Sequence, residues 1–419
     1  MGFPWKIAGV IDAARVMARC DELARHSELA GGLTRTYLSR EQHAANELVL
    51  GWMREAGMSA RLDAVGNVVG RYEGLQAGLA CLMLGSHLDS VRDAGKYDGM
   101  LGVVAAVECV HALKDAGRRL PFALEVVGFA DEEGVRFGAT LLGSRAVAGT
   151  FERSLLGVRD RDGMSMQEAM TAFGLDPTGL DAAARRREEL HAYAELHIEQ
   201  GPVLETEGVA VGVVTAINGF SRLSAAVRGM AGHAGTVPMN LRHDPLAAAA
   251  QCVLAVERAG RSVPELVATV GRIEALPGAI NVIPGEARFT VDCRAPDDEL
   301  RERTVERLRR EFAVIAKARG VELRLENLQD SPVTVCAPWL IEQMERAVAA
   351  EALPLRRLPS GAGHDGMAIR AIADVAMLFV RCKGGISHNP AESVTEADVG
   401  DAARVFLRFI ESFQPAAPA

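Results

Sequence analysis

Apolar positions in the chain follow two rhythms. Between Cys81 and Arg136 they come as unbroken runs, CLMLGS before His87 and residues 122–130 before Asp131. Runs of that length, closed by glycine or by acidic residues, predict strands covered on both faces, as in a parallel sheet. The stretch between them, 99–117, is apolar over a helical length and predicts the crossover helix of a βαβ unit. Loops that follow parallel strands share one rim, and open α/β sheets take their ligands at that rim. Gly85-Ser86-His87-Leu88-Asp89-Ser90, Lys96-Tyr97-Asp98-Gly99 and Asp131-Glu132-Glu133-Gly134 should therefore meet there.

The rest of the chain completes this rhythm and then departs from it. Helical spacing predicts helices within 11–29 and 40–56, on either side of a turn-rich stretch, 31–37, whose Thr34 to Tyr37 offer a pocket lining and, as the plainer reading, a surface connection. Residues 58–63 and 67–72 predict a strand pair feeding the central unit, and 141–149 is rich in small residues. Residues 164–190 predict an amphipathic helix whose basic run, Arg185 to Arg187, lies on a solvated face. Residues 191–200 alternate like a strand and bring a second imidazole, His197, to a strand end. From about residue 215 the order is strand (220–228), helix (244–259), strands (266–274 and 286–294), helix (297–319) and strand (321–328). This βαββαβ order predicts an α+β insert with a ferredoxin-like antiparallel sheet. Near Ser331 the first rhythm resumes, with a helix over 338–352, a loop over 360–366, a strand over 375–380, a loop over 384–392 and a closing helix. The expected fold class is α/β, a mixed sheet flanked by helices, built from residues 1–214 and 331–419 around an inserted domain at 215–330.

Composition narrows the setting. With 419 residues and 49% apolar content, the chain can bury the cores of more than one domain. A net charge of -9 and a pI near 5.7 argue against a nucleic-acid partner or an anionic membrane surface. The seven cysteines are scattered and lack the close pairs of a zinc framework, which fits a reducing compartment. Asp12 and Arg15 stand where a signal peptide needs an apolar run, Lys6 spoils a myristoylation signal, and the most apolar helix carries Glu108 and His111. The expectation is a cytoplasmic protein without a membrane segment, its one low-complexity tract being the tail at 415–419.

Chemistry concentrates on the shared rim. His87, Asp98, Glu133, His197 and His388 each fall in or beside a loop after a predicted strand. A single loop histidine is ordinarily a surface residue. Together these residues supply the bridging carboxylate and the terminal nitrogen and oxygen ligands that a pair of divalent cations needs. Asp89 suits an outer role, accepting the imidazole N–H of His87 and so choosing which nitrogen faces the cation; its plainer reading is a loop cap. Adjacent Glu132 and Glu133 would ordinarily be a solvated turn, but after a buried strand and beside a ligand loop they read as a base and a ligand. His26, His43, His111, His191 and His243 match no ligand position and are read as structural.

SHLDS, YDG, DEEG and the late SHNPAE resemble the M20-type dinuclear metallohydrolases, and HIEQGPVLE, GMAGHAGTVPM, NVIPG and GAGHDG resemble one branch of them. That branch is the hydantoinase/carbamoylase amidase family, which includes N-carbamoyl-L-amino acid hydrolases, β-ureidopropionases and allantoate amidohydrolases. The motifs keep the family order from about residue 34 to residue 394. The resemblance implies a phosphorylase/hydrolase-like catalytic domain, an insert that serves as lid and dimerisation domain, and a homodimer. It also implies two divalent cations per subunit, Zn, Mn, Co or Ni, one held by His87 and His197 and the other by Glu133 and His388, with Asp98 bridging and Glu132 as general base. Peptidase branches usually place a carboxylate where this chain has His197, so that residue favours the amidase branch. Arg294 is implied to grip a substrate carboxylate, Asn281 to contact the carboxylate or the ureido group, and Gln200 to orient the ureido group. The plainer readings are a surface salt bridge for Arg294 and a turn residue for Asn281. His233 is implied to reach the active site of the partner subunit and steady the oxyanion, and His364 and Asp365 resemble a substrate-side loop with binding or support roles.

The reaction so implied is hydrolysis of the linear ureido C–N bond of a small carboxylate such as allantoate or an N-carbamoyl-L-amino acid, with release of ammonia and carbon dioxide. The alternatives are a dipeptidase or aminoacylase of the same superfamily and a non-catalytic metal-dependent binding relative. Pocket shape, which no local motif encodes, decides between allantoate, carbamoyl amino acids and ureidopropionate.

Overall fold

The computed structural model describes residues 9–416; Lys6 and the end of the 415–419 tail lie outside the described residues. The chain divides into two compact units. One takes the chain up to Thr215, Cys336–Leu358 and the chain from Gly363 onward; the other takes Ala216–Val335 with Pro359–Ala362. Among the described residues no helix is long and apolar enough to cross a membrane.

In the first unit the central sheet runs in the order Ser59–Leu62, Val68–Tyr72, Ala123–Phe129, Cys81–His87, Leu190–Ile198, Val375–Val380, Val211–Ile217. The strands Ala123–Phe129, Cys81–His87, Leu190–Ile198 and Val375–Val380 run parallel, and their outer neighbours pair antiparallel, so the sheet is mixed. Every residue of Cys81–His87, Ala123–Phe129 and Val375–Val380 is buried, as unbroken apolar runs require. The common direction sets the carboxyl ends of the parallel strands along one rim. Helix Met100–Asp115 packs on these strands and against helices Ala13–Leu23 and Glu396–Ser412, which buries nearly all of it. Its fully buried acid, Glu108, accepts from Arg15 Nε at 2.8 Å and Nη2 at 2.7 Å, so the charge is paired inside the layer.

Two expectations for this unit need correction. The helix expected over 164–190 is confined to Met166–Phe173: a Ser165/Glu168 capping box opens it, left-handed Gly174 closes it, and short 3-10 turns follow. Arg185, expected on a solvated face, donates from Nη2 to both oxygens of buried Glu125, at 2.8 and 2.9 Å. The 31–37 stretch also differs from a surface connection, because Thr34 to Tyr37 are buried, Arg35 and Tyr37 completely. Arg35 Nε donates to the Leu88 carbonyl at 2.8 Å, Nη1 donates to the carbonyls of Leu23 at 2.8 Å and His26 at 3.2 Å, and its backbone N–H donates to Ser90 Oγ at 2.9 Å. A guanidinium with five donors can satisfy that many carbonyls at once, which is how a charged side chain comes to lie inside.

In the second unit the antiparallel sheet runs Glu322–Ser331, Gly219–Arg228, Glu286–Ala295, with Val267–Thr269 and Ile273–Leu276 both pairing the far side of Glu286–Ala295. Helices Pro245–Arg261 and Asp298–Arg319 make the crossings, an order of two interleaved split βαβ units. The central strands alternate buried and more exposed residues because the helices cover one face: Leu223, Ala225, Phe289 and Val291 meet Cys252, Val256, Leu308 and Phe312. The strand expected over 266–274 is divided, with Val270, Gly271 and Arg272 between its parts. A separate ribbon pairs Gly232–His233 with Val282–Ile283, which places His233 in a short strand. Pro359–Ala362, assigned from sequence to the later part of the first unit, groups here because Asn218 N–H donates to the Ser360 carbonyl at 2.9 Å and Arg294 Nη1 to the Gly361 carbonyl at 2.8 Å.

Candidate metal centre

The rim of the first unit gathers the candidate ligands. His87 ends its strand, His197 is the last residue but one of Leu190–Ile198, Glu133 follows Ala123–Phe129, His388 follows Val375–Val380, and Asp98 lies in the turn before Met100–Asp115. His87 Nδ1 is 3.1 Å from the Asp89 carbonyl and His197 Nδ1 is 2.9 Å from the Ile198 carbonyl. A carbonyl only accepts, so each Nδ1 carries the hydrogen and each Nε2 is the acceptor nitrogen, that of His197 accepting the Gly99 N–H at 3.2 Å. These Nε2 atoms stand 3.7 and 3.2 Å from Asp98 Oδ1. The other oxygen, Oδ2, is 3.1 Å from His388 Nε2, which is itself 3.2 Å from Glu133 Oε1. One carboxylate thus divides its oxygens between two donor groups, His87 with His197 and Glu133 with His388.

The geometry fits cations in both groups. Two ligands of one tetrahedral ion, each about 2.1 Å from it, stand roughly 3.4 Å apart, which is the spacing found here. Asp98 Oδ1 is buried and has no hydrogen-bond partner although two imidazole nitrogens flank it, an arrangement that a cation would satisfy. Gly99 has φ +72°, and a Cβ there would come within 2.4 Å of His87 Nε2, so only glycine leaves that nitrogen clear. Gln200 and His388 hold φ of +57° and +53°, a left-handed conformation that costs about 1–2 kcal/mol for such residues and that the surrounding structure must maintain. Burial opposes ionisation of Asp98, yet the imidazoles of His197, His388 and His87 hold it well below the usual carboxylate range. In the absence of a cation, hydrogen bonds to Asp98 and Glu133 raise His388 to about 10.

Asp89 faces His87 with both its carboxylate and its carbonyl. Its Oδ1 is 3.5 Å from His87 Nδ1, farther than its own carbonyl, and its carboxylate accepts the backbone N–H groups of Glu132 at 3.0 Å and Glu133 at 3.1 Å. The residue therefore meets the imidazole with its main chain and its side chain, and the same side chain ties down the acid loop. Glu132 is partly exposed, and burial followed by the charge of Glu133 raises its carboxyl well above the usual range. Gln200 Nε2 donates to Asp98 Oδ2 and to Ser387 Oγ, each at 3.1 Å, which places it on the donor cluster.

His364 and Asp365 are 1% and 0% exposed. The His364 ring packs edge-on against His197, with 4.5 Å between centroids, and burial followed by the charge of His197 lowers its pKa well below the usual value. Glu195, which sequence reasoning passed over, completes this deeper layer: it shares a donor group with His197 and His364 and accepts from Ser86 Oγ at 2.8 Å and Tyr193 Oη at 3.0 Å. Its signal in the sequence was a carboxylate inside an otherwise apolar strand.

Within the second unit the short ribbon brings two further candidates together. His233 pairs with Val282, and Ala234 N–H donates to the Asn281 carbonyl at 2.9 Å; His233 and Asn281 are both exposed. His233 Nδ1 accepts the Gly235 N–H at 3.1 Å, which leaves Nε2 as the hydrogen-bearing nitrogen of the neutral ring. Arg294 is engaged in the salt bridge of its plainer reading: Nε and Nη2 donate to Asp292 at 2.7 and 3.2 Å, and Nη1 donates to the Gly361 carbonyl. Two of its five donors remain for another acceptor.

Comparison with known proteins follows the same outline. An N-carbamoyl-L-amino acid amidohydrolase of Geobacillus stearothermophilus is 42% identical over 402 residues, covering 96% of this chain and 98% of its own. An allantoate deiminase of Arabidopsis thaliana is 40% identical over 429 residues, covering 94% and 81%. Among solved structures, a hydantoinase/carbamoylase family amidase from Burkholderia multivorans superposes with a TM-score of 0.90 at 35% identity, covering 96% of this chain and 98% of that one. The profile of Peptidase family M20/M25/M40 matches residues 83–412, a span that holds every donor of the rim, and the chain belongs to that family.

Proposed function

We propose that this protein is an amidohydrolase that binds two divalent cations through His87, His197, Asp98, Glu133 and His388 and cleaves the linear ureido C–N bond of a small carboxylate, releasing ammonia. Its main support is the division of the Asp98 oxygens between two donor groups. The substrate class comes from the names of the relatives, one acting on N-carbamoyl-L-amino acids and one on allantoate. Mixed nitrogen and oxygen donors suit Zn, Mn, Co or Ni. Such cations, when bound, polarise a carbonyl and acidify a water.

The chain's own residues do the rest. Glu132, beside the ligand Glu133, takes a proton from the attacking water and returns it to the leaving nitrogen. Asp89 keeps Glu132 in place through the backbone N–H it accepts. Gln200 orients the ureido group. Asn281 and the two remaining donors of Arg294 contact the substrate carboxylate, and His233 donates its Nε2–H to the oxyanion, a contact whose removal typically costs about 100 to 1,000-fold in rate. His233 is supplied across a homodimer, with the second unit as lid and dimerisation domain. His364 and Asp365 act as support for His197 rather than as substrate contacts. A cytoplasmic setting is supported by cysteines that are all free and buried.

The test is a panel of substrates given to metal-stripped protein reloaded with each ion. Ammonia release from N-carbamoyl-L-amino acids or allantoate is expected; free amine release from dipeptides instead would favour the peptidase reading, and no turnover with any ion would favour a binding relative.

A further inference from the structure

We propose that Glu392 is a positioning residue that latches the two donor groups of the metal centre together; the proposal rests on the two-cation reading above. Glu392 closes the SHNPAE stretch, and although the four residues before it, His388 to Ala391, are exposed, it is itself 4% exposed. Its Oε1 accepts the backbone N–H groups of Tyr97 at 2.9 Å and Asp98 at 3.1 Å. Its Oε2 accepts from Ser387 Oγ at 3.0 Å, and that hydroxyl is also 3.3 Å from Asp98 Oδ2. One side chain thus ties the main chain of the shared ligand to the residue beside His388, across 294 positions of sequence.

The carboxyl group is held by main-chain donors rather than by a cationic side chain. Two successive main-chain N–H groups converge on one of its oxygens and the Ser387 hydroxyl meets the other, so both oxygens are occupied inside the protein. The turn before Asp98 is shaped around this carboxylate, since a Cβ on Gly95 would fall 2.3 Å from Glu392 Cβ, Cδ and Oε1. Glu392 belongs to none of the donor groups, so it acts on the cations through Asp98 and His388 rather than as a ligand. Because Asp98 alone serves both groups, a shift of its main chain moves both at once.

The experiment is a chelator-competition titration of cobalt(II) into the metal-free protein, with the cobalt absorption band recorded, preceded by hydrogen exchange over residues 95–99 without metal. Melting of each metal-free form checks that it is folded. Glu392→Ala should weaken cobalt binding by about 10 to 100-fold, the usual loss when an outer partner of a ligand is removed, shift the absorption band and speed exchange at Tyr97 and Asp98. Glu392→Gln, which keeps an oxygen for both N–H groups, should stay close to the unsubstituted protein. Gly95→Ala should reproduce the loss by displacing Glu392 and add little in the Glu392→Ala background. Unchanged cobalt binding and exchange in Glu392→Ala would overturn the latch, as would an equal loss in Glu392→Gln. If the unsubstituted protein bound no cobalt, the two-cation reading would fall, while exchange measured without metal would still decide for or against the latch.

Discussion

At the scale of residues, the metal centre is set by commitments made away from the cations. His87 and His197 each spend Nδ1 on a main-chain carbonyl, which fixes both the tautomer and the ring plane before any ion arrives. Glu132 makes no such commitment, and burial followed by the charge of Glu133 raises its carboxyl well above the usual range, which suits the role of base proposed for it. Glu132→Gln should keep both cations, by elemental analysis, and lose turnover by about 100 to 10,000-fold, the usual contribution of a general base; a near-normal rate of ammonia release would remove it from that role. Arg294→Ala should raise KM for carboxylate substrates more than it lowers kcat, and an unchanged KM would leave Arg294 as the partner of Asp292 alone. The candidate donors were legible in the sequence because imidazoles and carboxylates stood after apolar runs. That Asp89 also ties down the acid loop was not, because which main-chain N–H groups a carboxylate meets depends on a turn whose dihedrals no motif states. The depth of His364 was equally hidden, since a polar GAGHDG stretch reads as a loop whether or not other elements cover it.

At the scale of elements, the unbroken apolar runs made the parallel strands and their common rim legible, because a strand covered on both faces leaves little choice of composition. The burial of Thr34 to Tyr37 was illegible for the opposite reason: arginine, threonine and neighbouring glycines signal exposure unless their donors meet carbonyls from distant segments. Arg35 meets three such carbonyls, from Leu23, His26 and Leu88, and so fastens this segment to the loop that carries Asp89. Arg35→Met should destabilise the metal-free protein by about 2–4 kcal/mol in urea unfolding, because the carbonyls stay buried and lose their donor. A loss below about 0.5 kcal/mol, the range of ordinary surface substitutions, would contradict this. The early end of the 164–190 helix was signalled by Gly174 and Pro177, but the amphipathic spacing beyond them masked the stop.

At the scale of the whole molecule, the metal-free protein stores protons that cations should replace. His388 is raised to about 10 from an ordinary 6.5, so its contribution to stability is full below about 6.5 and is lost as pH rises through about 10. The raised carboxyl of Glu132 loses stability in the same direction, while Asp98, held low, matters only in acid. The melting temperature of the metal-free protein should therefore fall between pH 6.5 and 10, and that of the cation-loaded protein should fall less. A metal-free melting temperature that rises over that interval would contradict the assignment. If His233 serves the partner subunit, mixing inactive Glu132→Gln and His233→Ala chains should restore activity in mixed dimers, each of which would hold one intact site. The central claim is that Asp98 is shared by two cations, and elemental analysis after equilibrium dialysis tests it most directly. Two ions per chain in the unsubstituted protein and the loss of both in Asp98→Ala are predicted; a single ion per chain, or two ions retained by Asp98→Ala, would contradict it.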